Sequence, residues 1–411
     1  MADKRPLAVI KAKSIADVRD ALSVARSHKC PVAVRGGGHS LPGFSTCDGG
    51  IVIDLSQMNG ITVDTPSKKA VVSGGALLGD LDRAGVPHGL VVPAGVVSHT
   101  GAAGLTLGGG MGWLSRRYGL TIDHLEAVEL VTADGALIKA SPDNEPELFW
   151  GLRGGGGNFG IATNFHFRMR DLGAVTAGTW TYDISTARAV LEALSAAARV
   201  APRELTLSFN VKQAGCTVTA FHSGATGEGS GLVSPFGSLA SKGDGTCGPA
   251  NFIAIQSRGD EFVRWGRRYY AKGGYFAGLS TEVIDTMLTA IQSAPTPDSE
   301  IYVLQLGGAV SDVEDEATAY TGRSAQFYWI AQPIWDDASN DAACLTWGRK
   351  TAAALTALSM EGNYVNEQAD SGGDLAVKAY GARKYRRLQA LKARFDPENF
   401  FRLNQNITPC I

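Results

Sequence analysis

The chain has 411 residues, with 38 Lys and Arg against 40 Asp and Glu and a formal net charge of −2 at pH 7. That balance gives no electrostatic footprint for a nucleic acid or an anionic membrane, and no apolar run is long enough to span a bilayer. The length allows two or three domains around a large core, and the 51 glycines, roughly 12% of the chain against a usual ~7%, stand out.

In chain order, Met1 to Pro6 lead into a short apolar run at 7–10, so no signal peptide is expected and the location reads as cytoplasmic. Ser14 with Asp17 three residues on is an N-cap pattern, and apolar residues recur at helical spacing over 15–26. Pro31-Val32-Ala33-Val34 reads as a buried strand running into Arg35-Gly36-Gly37-Gly38-His39-Ser40. Glycines there permit a sharp turn and close approach of backbone to a ligand, and successive N–H groups form a nest for a phosphate. One imidazole follows the nest, which points to a large phosphorylated cofactor held covalently. The competing reading is a plain Gly-rich turn with a structural histidine. The motif is neither a P-loop nor the usual dinucleotide fingerprint.

A strand over 70–73 leads to a short helix near 78–81. A second glycine cluster spans 94–112 and a third spans 152–160, both set among apolar strand-like runs rather than the Ser and charge of a linker. Between them a strand over 125–132 ends at Ala133-Asp134-Gly135, a hairpin signal, and 161–168 alternates again. His124 and His166 read as structural. The character shifts after Asp171-Leu172-Gly173. A helix over 187–198, a hairpin of 205–211 with 216–221, strands at 300–306 and 326–331 and a helix from 341 predict an antiparallel sheet covered by helices. The Gly- and Ser-rich stretch 223–248 is expected to be a mobile surface loop, and Arg383-Lys384-Tyr385-Arg386-Arg387 the solvated face of a C-terminal helix. Six scattered cysteines and seven histidines lack ligand spacing, so no metal is expected; a disulfide between Cys216 and Cys247 stays open.

Taken together, these loops resemble the PCMH-type FAD-binding domain of the vanillyl-alcohol-oxidase superfamily, and specifically its berberine-bridge-enzyme-like branch. The resemblance is carried by Val34 to Ser40, Gly50 to Ser56, Gly104 to Asp123, Glu147 to Gly160 and Phe395 to Ile407. It implies an α+β fold with an FAD-binding domain at 1–175, a substrate-binding domain at 176–374 and a segment at 375–411 that returns to the FAD domain. It implies FAD joined to His39 and held by Val34, Arg35, Gly36, Gly37, Gly38, Ser40 and Gly43. Pro93, Ala94, Val97, Ser98, Gly101, Gly104, Leu105, Gly108, Gly110 and Gly112 from the second loop belong to the same set, with Gly160, Ile161, Asn404 and Asn406. Some members attach the flavin a second time through a cysteine; that position is Val97 here, so a single bond and a more enclosed site are expected.

The resemblance further implies an oxidase acting on a small organic substrate, an alcohol, amine, sugar or secondary metabolite, with O2 as electron acceptor and hydrogen peroxide as product. A base must take a proton from the substrate O–H or N–H. Tyr364-Val365-Asn366-Glu367 resembles the family's Tyr-x-Asn-Tyr, with Glu367 at the catalytic position; desolvation would raise its pKa toward neutrality. The competing reading is an ordinary loop carboxylate. On an extended segment Glu367 faces away from Tyr364 and Asn366, and Tyr364 is the substitute base. His99 would stabilise an anionic reduced flavin or simply pack on Pro93. Gln305, Tyr328, Trp329 and Gln332 are candidate substrate contacts, with Trp329 opposite in parity to Tyr328 and Gln332; aromatic residues there serve equally as core. Rival functions are a dehydrogenase with another acceptor and a flavin-binding protein without turnover. The sequence carries no sign of an oligomeric state.

Overall fold

The computed structural model describes residues 3–410. Its first layer is a parallel three-stranded sheet of β1 (Ala8–Lys11), β2 (Val32–Arg35) and β3 (Ile51–Asp54), in the order β1-β3-β2. Helix α1 (Ile15–Ser27) covers it; Ser14 accepts from the Asp17 amide and the Asp17 carboxylate reaches back to the cap, a complete capping box. Val18, Leu22 and Ala25 of α1 join Ile51, Ile53 and Phe401 in one apolar cluster.

Beside it stands a five-stranded antiparallel sheet, β4 (Ile61–Asp64), β5 (Lys69–Ser73), β6 (Leu125–Val131), β7 (Leu137–Ala140) and β8 (Ile161–Arg168), ordered β4-β5-β8-β6-β7. Helix α2 (Leu78–Gly85) and the short α3 (Ala102–Gly108) lie between its strands in sequence.

The third layer is a seven-stranded antiparallel sheet. Its strands are β9 (Ala174–Asp183), β10 (Leu205–Lys212), β11 (Gly215–Gly224), β12 (Asp244–Pro249), β13 (Lys272–Phe276), β14 (Glu300–Gln305) and β15 (Phe327–Gln332), ordered β12-β9-β11-β10-β14-β15-β13. Helices α4 (Ala187–Val200), α5 (Thr281–Ile291) and α6 (Asp341–Thr356) cover one face. Alternation divides the strands. Val303, Phe327, Trp329 and Ala331 join Leu191, Met287 and Leu355 in the core under the helices. Leu304, Tyr328 and Ile330 point the other way, into the cluster shared with Leu107, Met111 and Tyr364. The fold class is therefore α+β, with the second face of the large sheet laid over the glycine loops.

Two expectations need correction. Residues 223–248 are not a loop: Gly229–Val233 is helical and β12 pairs with β9 from Thr181↔Asp244 to Thr176↔Pro249. Val233 and Phe236 enter the core with Trp180 and Tyr182. An edge strand of small and polar residues lacks the apolar alternation by which strands are recognised. The basic run 383–387 is only partly solvated. It lies on α7 (Gly373–Phe395), which breaks at Gly381 (φ 72°, ψ 154°). Lys384 is buried and donates to the carbonyls of Asp315 and Tyr320, both at 2.5 Å. Six cysteines are free, Cys216 and Cys247 among them. Among the described residues no helix is long and apolar enough to cross a membrane, and no cluster of potential ligands could hold a metal.

Candidate active site

Strand β2 ends at Arg35 and delivers Gly36 to Ser40 to the surface between the first two layers. Among the described residues, the amides of Gly36, Gly37, Gly38, His39 and Ser40 donate no hydrogen bond within the chain. Gly37 meets the second loop backbone to backbone: a Cβ there would fall 2.2 Å from the Gly101 nitrogen, and one on Gly101 would fall 2.3 Å from the Gly37 nitrogen. Only glycine permits that approach. Gly43 closes the first loop by donating to the Ser40 carbonyl at 3.0 Å.

The second loop carries Pro93, Ala94, Val97 and Ser98 into α3, where Gly101 is the N-cap and Gly104, Leu105 and Gly108 lie in the helix. Thr121 Oγ1 donates to the Pro93 carbonyl at 2.7 Å and the Gly112 amide donates to Ser115 Oγ at 2.9 Å, so both ends of this loop are tied down. Gly160 and Ile161 open β8 beside Val131. The tail reaches the third loop through Asn404, whose Nδ2 donates to the Gly157 carbonyl at 3.1 Å. The Oδ1 atoms of Asn404 and Asn406 are buried with no partner. A row of free amides and a cleft too tight for side chains fit the phosphates of a cofactor such as FAD, and the two orphaned amide oxygens, which only accept, fit its hydroxyl or ring N–H donors.

At the lip of this cleft, His39 Nε2 lies 2.5 Å from His99 Nδ1, and His99 Nε2 lies 3.1 Å from the carbonyl oxygen of Asp260. The Asp260 carboxylate accepts from the Ser98 amide at 2.8 Å and from Ser98 Oγ at 2.5 Å. Trp265 packs 4.4 Å from the His99 ring and edge-on 5.6 Å from His39. Burial, reinforced by His99, pushes the His39 imidazole down to about 4. His39 is thus neutral near pH 7 and keeps a lone pair. His99 packs on these groups. Sequence reasoning missed Asp260 and Trp265, which sit in a stretch without periodicity far from either glycine loop.

The segment after Tyr364 is not extended. Val365–Glu367 is a single 3₁₀ turn, closed by the Glu367 amide donating to the Tyr364 carbonyl at 3.2 Å. Side chains three apart eclipse in such a turn, so Tyr364 and Glu367 share a face, contrary to the strand parity. The Tyr364 hydroxyl accepts from the Gly110 amide at 3.2 Å and from Asn366 Nδ2 at 3.0 Å. Asn366 Nδ2 also donates to the Leu105 carbonyl at 2.9 Å. Burial, then the neighbouring Glu367 charge, holds Tyr364 far above the ordinary phenol range.

Glu367 is half-buried, and burial raises its carboxyl above the ordinary value. Tyr328 faces it closely enough to lower that shift, without closing a hydrogen bond of ordinary geometry. Tyr275, Tyr302 and Tyr320 also have unpartnered buried hydroxyls. Ring centroids lie 5.9 Å apart for Tyr275 and Tyr328 and 5.7 Å for Tyr328 and Tyr364. Tyr302 shares the Tyr328 face two residues from Leu304, a parity readable in sequence, whereas Tyr275 and Tyr320 gave no signal there.

Two proposed substrate contacts are misplaced. Gln305 lies on the helix side, where its Nε2 donates to the Ala198 carbonyl at 2.9 Å and its Oε1 accepts from the Leu207 amide at 3.2 Å. Trp329 is fully buried against Phe276, and its Nε1 donates to Ser359 Oγ at 2.9 Å. Gln332 keeps the Tyr328 face, but its Nε2 is committed to Glu300 Oε1 at 2.7 Å. His124 and His166 are structural, bonded to the Tyr118 carbonyl and to Glu129.

A glycine-lined cofactor cleft roofed by a tyrosine-bearing sheet defines a flavoprotein oxidoreductase, and the comparisons agree. Residues 6–141 match the FAD binding domain family, and residues 363–408 match the family described as berberine and berberine like. An FAD-linked oxidoreductase of Dictyostelium discoideum is 32% identical over 98% of this chain and 89% of its own length. The (R)-6-hydroxynicotine oxidase of Paenarthrobacter nicotinovorans is 29% identical over 99% of this chain and 92% of its own. The crystal structure of 6-hydroxy-D-nicotine oxidase from Arthrobacter nicotinovorans superposes with a TM-score of 0.89 at 26% identity, covering 100% of this chain and 93% of that one. Chitooligosaccharide oxidase shares the fold, with a TM-score of 0.88 at 21% identity. The chain belongs to the berberine-bridge-enzyme-like FAD-linked oxidoreductases.

Proposed function

We propose that this enzyme is an oxidase that takes a hydride from an alcohol or amine carbon of a small organic substrate and passes the electrons to O2, forming hydrogen peroxide. FAD, when bound, supplies the hydride acceptor. In this reading residues 1–175 and the segment 375–411 hold the cofactor and 176–374 forms the substrate wall. The nest at Gly36 to Ser40 would take the pyrophosphate, and His39 would carry the single covalent bond, since Val97 offers no second nucleophile. The proton of the substrate O–H or N–H would go to Glu367, whose carboxylate is desolvated and, among the described residues, is paired with no cation. Tyr364, Asn366 and Gly110 hold the Glu367 turn against the second loop. Tyr328 and Tyr302 would position the substrate and exclude water.

The observation that carries this reading is a carboxylate, Glu367, on the turn that locks onto the glycine loop through Tyr364 and Asn366. The test is anaerobic flavin reduction screened over alcohols and amines, followed by oxygen and peroxide stoichiometry. Glu367→Gln should slow reduction ~10²-fold or more; near-normal reduction removes Glu367 from the mechanism. Reduction that only an artificial acceptor can reverse would mark a dehydrogenase, and a colour that no substrate bleaches would mark a binding protein. His39→Ala should release its FAD on acid precipitation while the parent retains it.

A further inference from the structure

We propose that Arg258 is a distal subsite for a carboxylate of the substrate, reached by a polar track that starts at Tyr328 and Glu367, so that the substrate is an elongated alcohol or amine with an acid group remote from the oxidised carbon. The inference rests on Glu367 and Tyr328 marking the reacting end, as proposed above.

The track is written in the register of the large sheet. Tyr328 on β15 pairs with Leu304 on β14, Leu304 with Ser208 on β10, Ser208 with Thr219 on β11, and Thr219 with Thr179 on β9. Paired residues share a face, so these side chains form one row on the side laid over the glycine loops. At one end of that face Val175, Ala177 and Phe221 pack against Trp113 and Phe252. Past them the face turns polar while staying enclosed. Ser208 and Thr219 are buried, and the Thr179 and Thr219 hydroxyls bond at 3.1 Å. An enclosed sheet face is ordinarily apolar; hydroxyls on one that roofs a cleft suit a ligand with polar groups along its length. From Tyr328 to Thr179 the row crosses four strand spacings, roughly 19 Å.

Arg258 closes the far end. Residues 250–267, between β12 and β13, cross back over the second loop: Gln256 Nε2 donates to the Gly95 carbonyl at 2.9 Å, and the Asp260 carboxylate accepts from the Ser98 amide at 2.8 Å. Between these two anchors Arg258 Nη1 donates to Thr179 Oγ1. Its other edge, Nε and Nη2, holds no carboxylate among the described residues. Arg267 in the same segment shows how that edge is filled: its Nε and Nη2 clasp the Asp336 carboxylate at 2.9 and 3.0 Å. Arg258 is exposed, so a ligand can reach it, yet partial burial holds its guanidinium below the ordinary value with no acid to offset the cost. A planar carboxylate on the Nε–Nη2 edge would complete the fork.

The test uses the full-length, FAD-loaded enzyme. The probes are an ω-hydroxy and an ω-amino tetra(ethylene glycol) carboxylic acid, whose ether oxygens suit the hydroxyl row, each with its methyl ester. Binding is read from the perturbation of flavin absorbance, and anaerobic reduction is followed separately. The parent should bind at least one acid ~10-fold or more tightly than its ester. Arg258→Gln should abolish that preference, and Arg258→Lys, a point charge without the fork, should keep part of it. Equal binding of acid and ester by the parent, binding of neither, or a preference that survives Arg258→Gln overturns the proposal. Equal weakening of acid and ester by Arg258→Gln marks a plain tether between residues 250–267 and the sheet and also overturns it. If Arg258→Gln loads no FAD, Arg258→Lys decides: an acid preference reduced ~3-fold or more supports the subsite, and an unchanged preference overturns it. An acid that binds through Arg258 but never reduces the flavin would sink the oxidase reading and leave the subsite standing, whereas reduction by acid and ester bound with equal affinity does the reverse.

Discussion

Replacing Lys392 with methionine tests how the tail is fastened to the cofactor cleft. Lys392 and Asp396 are both fully buried, and their charged ends meet at 2.7 Å. The remaining ammonium protons go to the carbonyls of Asn158 and Phe401, each at 2.8 Å. The Asp396 carboxylate also accepts from the amides of Phe400 at 2.7 Å and Phe401 at 2.8 Å. Lys392→Met keeps the bulk of the side chain but strands a buried carboxylate and two carbonyls. Removing one member of such a pair costs about 3–5 kcal/mol, a large share of the ~5–15 kcal/mol that holds a folded domain together. Lys392→Met with Asp396→Asn should recover more than half of the loss, because no bare charge remains. Asn404 lies three residues beyond Phe401 and donates to its carbonyl at 3.0 Å, so FAD retention should fall with stability. Urea unfolding of parent, single and double variants, read by flavin and tryptophan fluorescence, measures each quantity. A single variant within ~1 kcal/mol of the parent, or a double variant no better than the single, would refute the reasoning.

Three other outcomes follow from the same geometry. Gly37→Ala places a methyl group where the Gly101 nitrogen already sits; the loops must part, and purified protein should carry little FAD by its visible absorbance at unchanged secondary structure by circular dichroism. The rate of anaerobic reduction should rise with pH through the raised pKa of Glu367, since only the ionised carboxylate accepts a proton, and Glu367→Gln should lose that limb of the profile. Asp82 is buried, and burial pushes its carboxyl up to about 7 although Gln256 Nε2 donates to it at 3.3 Å. A folded pKa above the unfolded value of ~3.9 makes stability fall as pH rises from about 4 to 7 and then level off. Asp82→Asn should therefore gain stability over the parent, by a few kcal/mol at pH 8 and by less at pH 5; equal thermal shifts at both pH values would count against it.

Local chemistry was enough to read several parts of this protein from its residues. The capping box at Ser14 and Asp17, the turn after β2 and the opposed faces of Tyr328 and Trp329 depend on near neighbours in the chain. Five ordered motifs sufficed to place the chain in its family. Other features waited for the tertiary structure. Glu367 faces with Tyr364 only because the segment winds into a 3₁₀ turn, held by Gln368 and by Asn366 reaching Leu105. Gln305 turned out to serve α4, β12 emerged from a stretch that looked like a loop, and Lys384 is buried under carbonyls. The His39–His99–Asp260 chain joins residues from three separated segments. Backbone conformation is written in short range by capping, glycine and alternation, whereas a buried polar group takes whichever partner packing brings within 3 Å, and that partner lies most often in another part of the chain.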